Sequence, residues 1–290
     1  MIRVFRVLAP NPGPFTLEGT NTWIVGWDPC AVIDPGPEDP EHLRAVARAA
    51  RNVGAILVTH GHPDHTPGAP LLAELTGAPV LAAQPQSGQS RLRDDQIVEV
   101  GGAGLRAVRT PGHASDHLAF LDDGDGALFT GDAVLGRGTT VINPPDGDLA
   151  AYLRSLRRMR DLRPRTIYPG HGPTVFDGPA KLEEYIAHRA MREEQVIDAI
   201  GSGRRTIAEM VPVIYAEYPP ELHELAGRQV LAHLVKLERE GRVAHTGRAE
   251  RAKYELVEAR DCERCGRPAL PKSRFCGRCS MAVLQEGPQP

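Results

Sequence analysis

The chain has 290 residues, room for one large domain and one or two small ones. Its 41% hydrophobic content can bury a substantial core, and a net charge of −3 gives no global field towards nucleic acid or an acidic membrane surface. No stretch reaches transmembrane length, and the start MIRVFRVLAPNPGPF lacks the apolar run of a signal peptide, so a cytoplasmic protein without a membrane partner is expected.

In chain order, short apolar runs broken by Gly, Pro and Asp predict strands at NTWIVG, CAVID, AILVTH, APVLAA, GLRAVRT, LAFLDD and GALFTG. Apolar residues at three- and four-residue spacing predict helices at PEHLRAVARAAR and GAPLLAELTG. This alternation describes a layered α/β domain over residues 1–180. Beyond PGHGP the texture changes to one long helix, GPAKLEEYIAHRAMREEQVIDAIGSG. Two further helical stretches, TIAEMVPVIYAEY and ELAGRQVLAHLVKLEREG, then precede a strand, a charged turn and a strand. That outline predicts a winged helix within residues 181–259. Residues 260–290 form a cysteine-bearing segment and tail, where the basic excess of the chain also lies.

The densest chemical signal is Thr59-His60-Gly61-His62-Pro63-Asp64-His65, directly after the apolar run Ala55–Val58. A strand would deliver it at its C-terminal end, where α/β sheets place ligand sites. His60 and His62 alternate by two and can face one metal together, while Asp64 and His65 follow a turn at Pro63 and can reach a second position. His113 in TPGHASDH, Asp132 in LFTGD and His171 in YPGHG each follow a glycine at the end of a later apolar run. Imidazoles and carboxylates suit Zn, Mn or Fe, and a carboxylate can bridge two cations. Two such cations about 3.5–4 Å apart can share a hydroxide and clamp a carbonyl or phosphoryl oxygen. Two divalent metal ions, zinc first, are therefore expected.

The sequence HxHxDH, followed by GH, GD and GH, resembles the metallo-β-lactamase superfamily over residues 1 to about 180. The resemblance implies an αββα sandwich with His60, His62 and His113 on one metal and Asp64, His65 and His171 on the other. Asp132 would bridge, so that Asp64 and Asp132 serve catalysis as well as binding. It also implies a supporting role for Asp34 in VIDPG. GTNTWIVG, GDAVLGRGTTVI and YIAHRAMREEQ with a trailing winged helix look like the lactamase-beta-2-like branch, whose members include endoribonucleases of single-stranded RNA. The 38 residues between Asp132 and His171 leave no room for the large cap domain of the superfamily's processing nucleases.

Several further residues are candidates for lesser roles. Arg137, Thr139 and Thr140 lie in the loop after Asp132, and His188 and Arg189 on the long helix, where each could contact substrate. His117 is more naturally structural than a ligand, Tyr168 belongs to packing and Cys30 to the core. Lys236, Arg239, Arg242, Arg248, Arg251 and Lys253 mark the winged helix, but Glu238, Glu240 and Glu250 dilute them as a phosphate-tracking face. Cys262-x2-Cys265-x10-Cys276-x2-Cys279 has the spacing of a four-cysteine zinc ribbon, holding one structural Zn. Its basic residues and Phe275 could help hold RNA or a protein partner. The expectation is a metal-dependent hydrolase. Cleavage of single-stranded RNA is the first reading, and hydrolysis of a small ester or thioester, as in glyoxalase II, the alternative. A non-catalytic nucleic-acid-binding regulator is the third reading, and the intact set of seven ligands weighs against it. Oligomeric state is left open.

Overall fold

The structure is a computed structural model that describes residues 2–248 and 251–257. The cysteine call on Cys262, Cys265, Cys276 and Cys279 lies outside the described residues.

The first sheet runs in the order β1 (Val4–Leu8), β2 (Asn21–Val25), β3 (Cys30–Ile33), β4 (Val53–Leu57), β5 (Val80–Ala82), β6 (Ser90–Arg91). Its first three strands pair antiparallel and the rest parallel. A second sheet runs from β7 (Ile97–Val100) through β8 (Ala103–Arg109), β9 (Leu118–Asp122) and β10 (Ala127–Gly131) to β11 (Thr166–Pro169). Here only β10 and β11 are parallel among the pairs.

Side-chain alternation along the strands decides which residues meet. Trp23, Val25, Ile33, Ala55 and Leu57 from the first sheet bury against Leu105, Leu118, Phe120 and Phe129 from the second. The intervening residues, Ile24, Val32 and Ile56, face the other way. They pack on Leu43 and Val46 of α1 (Pro40–Ala50) and Leu72 of α2 (Ala69–Thr76). Tyr168 stacks on Phe129 at 4.9 Å and meets the Trp23 edge at 5.1 Å, which places it in packing. Cys30 is a buried free thiol within the α1 face of the sheet.

α1 starts where Asp39 accepts the His42 N–H at 2.8 Å, with Pro40 in its first turn. α3 (Leu149–Asp161) starts in the same way, Asp148 accepting from Ala151. It is anchored by the Ser155 hydroxyl donating to Pro111 O at 2.7 Å. With α3 the sandwich has the αββα layering.

α4 (Gly178–Gly201) contains the boundary between two compact units, Met1–His188 and the remainder. That boundary falls inside the helix, eight residues later than the composition change at 180. The second unit packs the end of α4 with α5 (Ile207–Ile214), α6 (His223–Arg239) and the hairpin of β12 (Val243–Thr246) and β13 (Lys253–Leu256). Val196, Ile200, Met210, Val230, Leu234 and Tyr254 are its core. Among the described residues no helix is long and apolar enough to cross a membrane.

Candidate metal centre

The sandwich brings the seven histidine and aspartate candidates to one end, each just after a strand. His60, His62, Asp64 and His65 follow β4, His113 follows β8, Asp132 follows β10 and His171 follows β11. Donor atoms of His60, His62 and His113 lie within 4.8 Å of one another, and so do those of Asp64, His65, Asp132 and His171. Asp132 faces both groups. Its Oδ1 is 3.3 Å from His65 Nε2 and 3.2 Å from His171 Nε2, while Oδ2 is 3.7 Å from His113 Nε2.

The outward ring nitrogens fix the tautomers. His65 Nδ1 lies 2.9 Å from Asp34 Oδ2, His113 Nδ1 2.8 Å from Val141 O, and His171 Nδ1 3.2 Å from Gly19 O. These partners only accept, so each Nδ1 carries the proton and each Nε2 turns a lone pair inward. The Thr59 hydroxyl donates to Asp34 Oδ2 at 2.8 Å, which leaves it to accept from His60 Nδ1 at 2.9 Å. His60 Nε2 is thus a bare lone pair as well, and it is buried without a hydrogen-bond partner, as is Asp132 Oδ1.

Converging lone pairs need a positive charge between them. With both rings neutral, His65 Nε2 and His171 Nε2 stand lone pair to lone pair 3.2 Å apart, and His62 Nδ1 lies 3.0 Å from His113 Nε2. Orphaned acceptors of this type, in two groups that share a carboxylate, fit two cations. His60, His62 and His113 would hold one and Asp64, His65 and His171 the other, with Asp132 between.

The electrostatics agree. Burial raises the Asp132 carboxyl, but His65 and His171 outweigh it and hold the group well below the usual carboxylate range. Burial opposes charge on His65 and His171 too. Asp132 overcomes it in both, with Asp34 helping at His65 and Asp64 at His171, so His65 is raised well above an ordinary imidazole and His171 to about 9. Without metal, protons answer the field that cations would answer.

Glycine is needed where the backbone closes on these ligands. A Cβ on Gly170 would lie 2.7 Å from Asp132 Oδ1 and 2.8 Å from His65 Cε1. Gly131, at φ +46°, would carry one 2.5 Å from Thr59 Oγ1.

The remaining candidates are dispersed. Thr140 is buried and its hydroxyl donates to Asp132 O at 2.8 Å, which braces the loop that carries Asp132. Arg137 and Thr139 are exposed, and Arg137 pairs with Glu18 at 2.7 Å. His188 is half-buried, and Arg189 is buried with Nη1 donating to Gln229 at 3.2 Å. His117 is fully buried behind the centre, Nε2 accepting from Asp132 N at 3.2 Å, and so is no ligand. Thr59 and Thr110 escaped sequence reasoning, because an isolated threonine carries no signal of its partner.

An αββα sandwich bearing paired imidazole and carboxylate clusters at its strand ends defines a metal-dependent hydrolase. Residues 15–91 and 81–171 match the model of the Metallo-beta-lactamase superfamily, and residues 206–252 that of the Beta-lactamase associated winged helix domain. The chain belongs to the metallo-beta-lactamase superfamily. It is 38% identical over 240 residues to the lactamase-like protein aptB of Emericella nidulans, covering 77% of this chain and 76% of that one. To the atrochrysone carboxyl ACP thioesterase of Aspergillus chevalieri it is 41% identical over 242 residues, 77% of each chain. A beta-lactamase domain protein from Burkholderia ambifaria superposes with a TM-score of 0.74, at 24% identity over 88% of this chain and 91% of that chain, a likeness of fold.

Proposed function

We propose that the chain hydrolyses a thioester, releasing a carboxylic acid and a thiol. The observation that carries this is the 41% identity, along 77% of both chains, to a protein named as a carboxyl ACP thioesterase. It supports the thioester alternative from the sequence in preference to RNA cleavage. The winged helix adds a physical argument on the same side. Lys236 and Arg242 both turn onto Glu193, at 2.7 and 3.0 Å, and Arg228 pairs with Glu224 at 2.8 Å. Cations already neutralised in this way make a poor track for phosphates.

Two cations at the centre would supply Lewis acidity and a water acidified towards neutral pH. The protein's own groups do the rest. Asp34, Thr59, Val141 O and Gly19 O hold four imidazoles in the tautomer that turns a lone pair inward. Asp64, the more exposed of the two central carboxylates, is placed to orient the attacking water. Asp132, locked between the groups, holds their spacing.

The test is a panel of acyl thioesters with end-labelled single-stranded RNA in parallel. Metal-replete wild type, chelator-treated wild type and Asp132→Ala are compared. Thioester cleavage confined to the metal-replete wild type is expected. RNA cleavage with inert thioesters would overturn the substrate reading and leave the hydrolase class standing.

A further inference from the structure

The five ligand histidines each keep one ring nitrogen turned to the centre, whereas His117 spends both on the surrounding chain. Its Nε2 accepts the Asp132 N–H at 3.2 Å, so the proton sits on Nδ1 and is donated to Thr110 Oγ1 at 2.9 Å. The ring is fully buried and stacks on His60 at 4.9 Å, with 30° between planes. From the other side the Thr140 hydroxyl donates to Asp132 O. The backbone N–H and C=O of Asp132, the residue that faces both clusters, are therefore each held by a side chain. Gly131, whose Cβ would come within 3.0 Å of His117 Nε2, lets this ring approach.

We propose that His117 is a positioning residue for the metal centre: it fixes the backbone from which Asp132 reaches both cations, and through its stacked face it ties that backbone to His60. The inference rests on the paired-metal reading of the site and is independent of the substrate. Any buried imidazole needs partners for its ring nitrogens, but here the fixed tautomer and the bracing threonine turn the acceptor onto the backbone N–H of Asp132. A group holding a bridging carboxylate in place needs both, because a small shift of the carboxylate lengthens contacts to two cations together.

The experiment is an equilibrium titration of the chelator-stripped full-length chain with Mn(II) against a competing fluorescent chelator. Mn(II) is chosen because oxygen and imidazole donors suit it and thiolates do not, so the cysteines near the C-terminus stay out of the reading. His117→Leu keeps the bulk and removes the acceptor, and its Mn(II) affinity should fall roughly 10–100-fold, the range for losing a group that orients a ligand. His117→Gln places an amide oxygen near the lost Nε2 and should restore most of the affinity. Thermal melting of the metal-free proteins separates this from a structural role, which would lower the melting temperature and leave affinity alone. Wild-type affinity in His117→Leu, or a loss in His117→Gln as large as in His117→Leu, overturns the proposal. Where His117→Leu does not fold, Thr110→Val takes its place. Weakened Mn(II) binding there supports the proposal, and unchanged binding overturns it. No substrate enters the assay, so an error about thioesters leaves its outcome untouched.

Discussion

Asp34 governs two ligands from one carboxylate. One oxygen accepts from Thr59 N; the other accepts from His65 Nδ1 and the Thr59 hydroxyl, which in turn orients His60. Asp34→Ala should therefore weaken Mn(II) binding roughly 10–100-fold while the αββα core still folds; chelator competition measures the first and circular dichroism the second. His171 gives a pH prediction. Its folded, metal-free pKa of about 9 lies above the ordinary imidazole value, so the stabilisation is full below about pH 6.5 and is lost as pH rises through about 9. The metal-free protein should melt several degrees lower at pH 9.5 than at pH 6.5. Metal-loaded protein should lack that fall, because the cation holds the lone pair. The seven candidate ligands were legible in the sequence because five of them, His60, His62, His113, Asp132 and His171, stand beside glycine near the end of an apolar run, and Asp64 and His65 complete the first of these motifs. Their supports were not. Asp34 meets Thr59 across 25 residues and Thr110 meets His117 across seven, and a threonine has no periodicity that announces such a meeting.

At the scale of elements, Glu193 on α4 carries the winged helix's central charge cluster. Burial raises its carboxyl, but His233 and Lys236 more than offset this and bring it to about 2. A depressed carboxylate stabilises above its ordinary pKa near 4.5, and that contribution is lost as pH falls through about 2. Glu193→Gln should cost on the order of 1 kcal/mol at pH 7, since Lys236 and Arg242 lose the less exposed of their two carboxylate partners and keep Glu240. Denaturant unfolding at pH 7 and again at low pH checks both the size and its disappearance. Elements with plain alternation or strong helical periodicity were legible, from β2 through α6. α3 was passed over: five arginine and aspartate residues crowd LAAYLRSLRRMRD, yet Leu149, Tyr152, Leu153, Leu156 and Met159 make one buried stripe along it. The four border strands β1, β6, β7 and β11 were missed as well; β1, β6 and β7 have mostly exposed side chains, which blurs the period of two, and β11 is only four residues long.

At the scale of the molecule, the chain joins a sandwich with a candidate two-metal site to a winged helix in which Arg228, Lys236 and Arg242 face carboxylates. Composition bore on the second point only by excluding a strongly basic protein. It could not choose between phosphodiester and thioester, because both reactions use the same metals and the choice lies in what surrounds them. The account stands or falls on whether the two clusters form one coupled centre. Electron paramagnetic resonance of the chelator-stripped chain reloaded with Mn(II) tests this directly. Two Mn(II) per chain with an exchange-coupled spectrum, replaced in Asp132→Ala by uncoupled or lost metal, is the predicted result. A single Mn(II) per chain, or two giving only isolated-ion signals in the wild type, would contradict it.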